Sequence, residues 1–301
     1  MSETQTVQVE GRRLKVSNLD KVLYPETGFT KGEVINYYVR VAPVLLPHVA
    51  GRPVTLIRYP DGVTGQSFFE KNVARNAPSW VRTERIETPG SSRGHEYLDF
   101  VVIDDLPTLV WVAQLAGLEL HVPQWTVGPR GGVRSPDLLV FDLDPGAPAT
   151  VVECARIAVR LREALAEDGL TAYPKTSGSK GMQVYAPVKV SSPEATSKYA
   201  KSLAERLAGE TPKEVVSTMA KAARGGKIFI DWSQNNPYKT TVAAYSLRAR
   251  DEPTVSTPLS WDEVESCSSV ADLRFTAEEV LERVDDLGDL FVDSDPVRLP
   301  T

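Results

Sequence analysis

Apolar residues recur along this chain with two periods, and the switches between them outline its elements. In NLDKVLYPETGFTKGEVINYYVRVAPVLLPHVAG, apolar positions at helical spacing follow Thr30 and Glu33, which form an S/T-x-x-E capping box, so a helix is expected over 31–47. From PVTLIRYPDGVTGQSFFEKN to EYLDFVVIDD, β-branched and aromatic residues alternate with Gly, Pro and Asp, which predicts a small antiparallel β unit. DDLPTLVWVAQLAGLELHV then reads as a helix with Asp105 before it and Pro107 in its first turn. Asp104 and Asp105 are therefore assigned to capping rather than catalysis.

From Leu138 the order is strand (LLVFDLD), helix (VVECARIAVRLREALAEDG), strand (LTAYPK), turn (TSGSKG), strand (MQVYAPV), helix (ATSKYAKSLAERLAG) and strand (KIFIDW). That β-α-β-β-α-β order is the split βαβ pattern of ferredoxin-like and RNA-recognition-motif-like sheets. Its first and last strands are antiparallel neighbours, in a register that the sequence leaves open. Further on, TAEEVLERVDDLGDLF sets Val280, Leu281, Val284 and Leu287 at helical spacing, an amphipathic C-terminal helix. With no repeat, low-complexity tract or long linker, residues 1–301 are expected to form a single α+β domain. It divides into an N-terminal β-rich α/β lobe (1–135), an RRM-like catalytic lobe (136–250) and an acidic helical segment (251–301).

Composition narrows the chemistry. The chain is 42% hydrophobic and 25% charged, as an ordinary globular protein is. No apolar run approaches a membrane span and Met1 to Arg13 has no signal-peptide core, so a cytoplasmic protein without membrane contact is expected. Cys154 and Cys267 are the only cysteines, with no Cys-x-x-Cys and no paired His, which excludes a disulfide framework or structural zinc. Any metal must be held by carboxylates. The net charge of -6 argues against a nucleic-acid partner until its distribution is seen. Asp251 to Thr301 holds 14 acids and three bases, and the rest 26 acids and 31 bases. The mildly basic body admits a polyanionic partner.

In LLVFDLDPG, Asp142 and Asp144 share one strand face roughly 6.6 Å apart along the chain. Two readings stay open from this stretch: ligands of a divalent cation, or turn aspartates solvating a strand end. Asp231 in KIFIDWSQNN ends the neighbouring strand, and three carboxylates on adjacent strands are the ligand set of a two-metal phosphoryl-transfer site. Between them, KTSGSKG offers a glycine-rich turn whose backbone N–H groups, with Ser177, Ser179 and Lys180, suit phosphate oxygens.

The ordered motifs NLDKVLYPETGFTKGEVINYY, LELHVPQW, VFDLDPG, TSGSKG, IDWSQNN and YSLRARDEPTVSTPLSWDE resemble the archaeo-eukaryotic primase superfamily, and within it the polymerase domain of bacterial DNA ligase D. The resemblance covers nearly the whole chain and implies a primase-polymerase fold. It implies template-directed addition of nucleotides to DNA ends in non-homologous end joining, with two Mn2+ or Mg2+ ions, a liking for manganese and acceptance of ribonucleotides. By that resemblance Asp142, Asp144 and Asp231 are catalytic metal ligands. His121, Ser177, Lys180, Gln183 and Gln234 contact the phosphates of an NTP or dNTP, and Arg224, Arg248 and Arg250 line the nucleotide and template path. Phe68 and Phe69 stack on template bases beside Lys71, and Lys21 and Lys31 form a pocket for a 5'-phosphate. The implied partners are primer-template or gapped DNA with a 5'-phosphate, Ku and a DNA ligase, met by a monomer.

Gln183 stands where many relatives carry His, though an amide also donates a hydrogen bond. No adenylating lysine motif or nuclease module is present, so a stand-alone polymerase and an excised domain are both expected alternatives. Consecutive Phe68 and Phe69 in a strand face opposite ways, so at least one is expected in the core. On residue types alone, His121 also reads as a hydrogen-bonded strand residue. Lys21 and Lys31 read as isolated surface lysines, and Arg248 and Arg250, two apart on one strand face, as partners of nearby acids. Two rival functions share the motifs. A haloacid-dehalogenase-type phosphatase also begins Asp-x-Asp, but continues Gly-Thr near the chain start, where this chain has Pro145 and Gly146 behind a large lobe. A DNA-end-binding scaffold with a vestigial triad is opposed by the intact triad.

Overall fold

In a computed structural model, the described residues are 4–88, 96–291 and 295–300. Part of the expected β unit, 89–95, lies outside them. The local signals act where they stand. Thr30 and Glu33 form a complete capping box at the start of the helix Lys31–Val49, two residues longer than its pattern suggests. Asp105 caps Leu106–Gln114, accepting from the Thr108 N–H at 2.9 Å, while Asp104 pairs with Arg82 at 2.6 Å. Asp104, expected as a cap, instead holds Arg82 and accepts from the Gly51 N–H at 2.7 Å, so both aspartates are structural but only Asp105 caps.

Those two helices pack on a sheet ordered Thr241–Val242, Gly117–Val122, Pro53–Arg58, Tyr97–Val102, Thr83–Glu87, every neighbour antiparallel. Tyr38, Val41 and Leu45 of the first helix meet Leu109 of the second and Leu56, Leu118 and Leu120 of the sheet in one core. The second sheet is ordered Tyr173–Thr176, Met182–Lys189, Leu138–Pro145, Ile228–Asp231, the antiparallel split βαβ arrangement, extended by Val215–Val216 in parallel. Helices Val151–Glu167 and Ala195–Glu210 cover one face of it, burying Leu139, Phe141 and Leu143 against Cys154, Leu161, Leu165, Leu203 and Leu207. Because strand side chains alternate, Asp142, Gln183, Tyr185 and Asp231 stand on the face turned to the first lobe.

The chain recrosses to the first lobe ahead of residue 250. Thr241 and Val242 pair with Val122 and His121, and Ala243, Ala244, Tyr245 and Leu247 join the first core. The acidic C-terminal stretch belongs to both lobes: Leu259, Val264 and Leu273 enter the second core, and Ala277, Val280 and Leu281 of the helix Ala277–Leu287 enter the first. Leu287, expected on the buried stripe, is 53% exposed because the helix stops there, beyond the edge of its partner. Among the described residues no helix is long and apolar enough to cross a membrane.

Candidate active site

Register decides the site. Asp142 lies opposite Asp231 on one side and Gln183 on the other, and Gln183 lies opposite Lys175, so four polar residues form one row across four strands. Asp144 stands one pleat further on, at the exposed strand end. Beyond it the chain must turn back under the loop that carries Arg224. At Gly146 a Cβ would stand 1.8 Å from the Arg224 carbonyl oxygen, so only glycine admits this packing. The Gly146 N–H donates to the Lys227 carbonyl at 2.8 Å and the Gly146 carbonyl accepts from Gly226 at 3.0 Å, which ties strand end to loop.

The carboxylates are held by their own neighbours. Gln183 Nε2 donates to Asp142 Oδ1 at 3.0 Å, and Tyr185 Oη donates to Gln183 Oε1 at 3.2 Å. Asp231 Oδ1 accepts from the Ser233 N–H at 3.0 Å and Ser233 Oγ at 2.5 Å, and Oδ2 accepts from Gln234 Nε2 at 2.8 Å. Burial, then the charge of Asp144, pushes the Asp142 carboxyl up to about 7, with Asp231 adding to the shift while Gln183 and Lys175 oppose it. Desolvation of its inner side and the charge of Asp231 also raise Asp144, against Arg224. Among the described residues, no three His, Cys, Asp or Glu groups stand in a spacing that holds an ion without rearrangement. Even so, three carboxylates gathered on one face, with the proton affinity of Asp142 and Asp144 raised, form an oxygen donor set that a divalent cation would neutralise, and the residues fit such an ion.

Beside them the turn of Ser177 to Gly181 closes on itself: Ser177 N–H donates to the Gly181 carbonyl at 2.9 Å, and Ser177 Oγ accepts from the N–H groups of Ser179 (3.3 Å) and Gly181 (3.2 Å). Lys180 is exposed and forms no ion pair among the described residues. Across the cleft, His121 Nε2 meets Glu119 Oε2 at 2.9 Å, and Glu119 Oε1 stands 3.2 Å from Arg248 Nε and accepts from the Ala249 N–H at 3.0 Å. Burial alone would raise Glu119, but His121, Arg248 and that N–H outweigh it and hold the carboxyl at about 2. Burial lowers the His121 imidazole despite Glu119. Glu119 was missed in the sequence, although Glu-x-His on an alternating strand sets both side chains on one face.

Arg248 sits in irregular backbone rather than on a strand, pinned where Tyr24 Oη donates to its carbonyl at 3.0 Å. Arg250 is exposed, with no ion pair among the described residues. Arg224 lays its guanidinium 3.6 Å from the Phe229 ring centroid and donates to the Met219 carbonyl at 2.9 Å.

The residues assigned to DNA ends gather in the first lobe. Lys31 is buried, with Nζ donating to the Ser17 carbonyl at 2.9 Å, and burial, then Lys21 and Arg58, pushes it down to about 8. Lys21 pairs with Asp61 at 2.7 Å and Arg58 with Glu70 at 2.6 Å. The lysines are therefore a cluster, not isolated, and Arg58 is a member that no sequence motif announced. Phe68 and Phe69 are 39% and 54% exposed and neither ring joins a core, which corrects the expectation of a core residue: Phe68–Glu70 is a three-residue strand at the sheet's margin. Lys71 Nζ lies 5.9 Å from the Phe69 ring centroid.

A family model described as LigD, primase-polymerase domain, matches residues 30–291. The multifunctional non-homologous end joining protein LigD of Mycolicibacterium smegmatis is 45% identical over 286 residues, which cover 94% of this chain and 36% of that protein. The bifunctional non-homologous end joining protein LigD of Bacillus subtilis is 34% identical over 286 residues, 93% of this chain and 44% of that protein. The chain thus spans well under half the length of these relatives. The polymerase domain of Mycobacterium tuberculosis ligase D, solved in complex with DNA, aligns with a TM-score of 0.86 at 42% identity, covering 92% of this chain and 96% of that one. Agreement of this extent makes the chain a member of the LigD primase-polymerase domain family, which are metal-dependent nucleotidyltransferases.

Proposed function

We propose that this chain adds nucleotides to DNA ends under the direction of a template, as the polymerase step of non-homologous end joining. The reading is carried by the direct opposition of Asp142 and Asp231, with Asp144 one pleat away, beside a glycine-rich turn with an exposed lysine. Asp142, Asp144 and Asp231 would hold two divalent cations, Mn2+ preferred over Mg2+; when bound, these supply the positive charge that activates a hydroxyl and stabilises a phosphorane-like transition state. Gln183 and Gln234 orient the Asp142 and Asp231 carboxylates, and release of Gln234 on ligand binding frees it for a phosphate.

Ser177 and Lys180 bind the β- and γ-phosphates, with His121 across the cleft and Arg248 reaching from Glu119 to the Ser177 carbonyl. The primer 3'-oxygen forms its bond to the α-phosphorus as the bond to pyrophosphate breaks, and the hydroxyl proton passes to solvent. Phe68 and Phe69, exposed side by side, offer faces for template bases, with Lys71 at the edge. Lys21, Lys31 and Arg58 receive a 5'-phosphate on gapped or recessed DNA through their side-chain charges. NTPs and dNTPs are the substrates, and Ku and a DNA ligase the partners, of a monomer acting in the bacterial cytoplasm. The family found above leaves the phosphatase and scaffold readings without support.

The test is extension of a labelled primer on a template with nucleoside triphosphates in Mn2+ or Mg2+. Wild-type protein should extend, and Asp142→Ala or Asp144→Ala should stop extension while retaining DNA binding and the wild-type melting temperature. Absence of template-dependent extension in both metals, or near-normal rates in either variant, would sink the proposal.

A further inference from the structure

The phosphate turn is fixed from outside the catalytic sheet. Its first three carbonyls all accept from a segment that follows the chain's return to the first lobe: Thr176 from Ser256 Oγ at 2.9 Å, Ser177 from Arg248 Nη1 at 2.5 Å, and Gly178 from Thr254 Oγ1 at 2.7 Å. The backbone joins in, with the Thr176 N–H donating to the Thr257 carbonyl at 2.8 Å and the Thr257 N–H to Thr176 Oγ1 at 3.0 Å. Thr254 and Ser256 are buried at 3% and 0% exposure, so these are interior contacts.

The fit is close enough to dictate residue types. Gly178 has φ of +66°, and a Cβ there would stand 2.7 Å from the Val255 carbonyl group and 2.6 Å from Arg248 Cγ. Lys175 Nζ donates to Ser256 Oγ at 2.5 Å. The Ser256 hydroxyl thus accepts from Lys175 and gives its own proton to the Thr176 carbonyl. Tying three consecutive carbonyls fixes the peptide planes of the turn. Its N–H groups close it from within, Ser177 donating to the Gly181 carbonyl at 2.9 Å, Gly178 to Thr176 Oγ1 at 3.3 Å and Ser179 to Ser177 Oγ at 3.3 Å, which sets where Ser177 Oγ and Lys180 stand.

We infer that Thr254 and Ser256, the latter oriented by Lys175, are positioning residues for the incoming nucleotide: they hold the 177–181 turn, and with it Ser177 Oγ and Lys180, in place before the nucleotide arrives. This rests on the reading of that turn as the phosphate cradle. The residues touch no phosphate themselves; they remove the need for the turn to reorganise on binding.

The test compares Thr254→Val, which keeps shape and loses the hydroxyl, with Thr254→Ser, which keeps the hydroxyl, and with Lys180→Ala, all in the full chain. Thr254→Val should raise the nucleotide KM by about three- to tenfold, the scale of one lost hydrogen bond, while kcat and DNA affinity stay within about twofold. Thr254→Ser should restore the wild-type KM. Ser256→Ala, read the same way, replaces Thr254→Val should that variant melt below the assay temperature. A wild-type KM in the hydroxyl-less variant, a loss shared equally among KM, kcat and DNA affinity, or failure of Thr254→Ser to rescue overturns the inference. Lys180→Ala separates the two levels: an unchanged nucleotide KM there removes the cradle and the inference with it, whereas a raised KM beside a silent Thr254→Val overturns the positioning role alone.

Discussion

Raising the pH from 7 to 9 should selectively weaken binding of 5'-phosphorylated DNA ends, because Lys31 is a buried lysine whose ammonium titrates at about 8. A lysine with that pKa is about 90% charged at pH 7 and about 10% charged at pH 9. If only the charged pocket binds, the apparent dissociation constant scales inversely with that fraction and rises about tenfold. The phosphate monoester has lost its second proton near pH 6, so its charge is constant over this range. Stability moves the opposite way. The folded pKa is lowered from 10.5, so between about pH 8 and 10.5 the unfolded chain binds more protons and this group favours the folded state as pH rises. Unfolding through Lys31 therefore does not mimic the effect. The assay is direct titration of one gapped duplex, with and without a 5'-phosphate, at pH 7, 8 and 9 and fixed salt, since phosphate contacts are salt-dependent. The ratio of the two affinities isolates the pocket. In Lys31→Met the ratio should be independent of pH and sit at the wild-type pH 9 value. A wild-type ratio that stays flat from pH 7 to 9 would refute the assignment of Lys31 to the phosphate.

The other expectations concern the cleft. Replacing both Lys21 and Lys31 with Ala should erase most of the 5'-phosphate preference while sparing addition to an open primer-template, read by the same titration and by primer extension. Gly146→Ala sets a methyl 1.8 Å from a backbone oxygen, so strand end or loop must shift by more than an ångström. A destabilisation of about 1–3 kcal/mol in urea melts should accompany a kcat lower by about a hundredfold, and normal values for both would show the packing to be slack. Gln183→Leu removes the donor to half-buried Asp142 and should cost about 1.5–3 kcal/mol wherever that carboxylate is charged and metal-free. Urea titration in chelator at pH 8 measures it, and excess Mn2+ should recover most of the loss.

What the sequence reveals here is what local chemistry decides. The Thr30–Glu33 box, the Asp105 cap and the order of elements from Leu138 to Asp231 depend on residues a few positions apart. The Asp142–Asp231 register depends on two strands almost ninety residues apart meeting at one pair and no other, and alternation alone permits a slip of two. Separation along the chain likewise hides Arg58 behind Lys31, Glu119 behind Arg248 and the three donors behind the phosphate turn. Phe68 and Phe69 failed for a different reason: alternation assigns faces to a strand but does not say whether both faces are covered.

The return of Thr241 and Val242 to the sheet beside His121 has a consequence for how the molecule comes apart. The catalytic lobe is an insertion whose two ends enter and leave the same neighbouring sheet, so a ladder of the first lobe closes only after the whole insert has been made. Chain order and folding order therefore diverge: a ribosome that has released residues up to 135 has delivered a sheet lacking its outermost strand and a core lacking Ala243, Ala244, Tyr245 and Leu247. Closure over so long a loop is entropically costly and late. Fragments cut at either seam should accordingly behave as halves of one cooperative unit, recovering native structure only when both pieces are present.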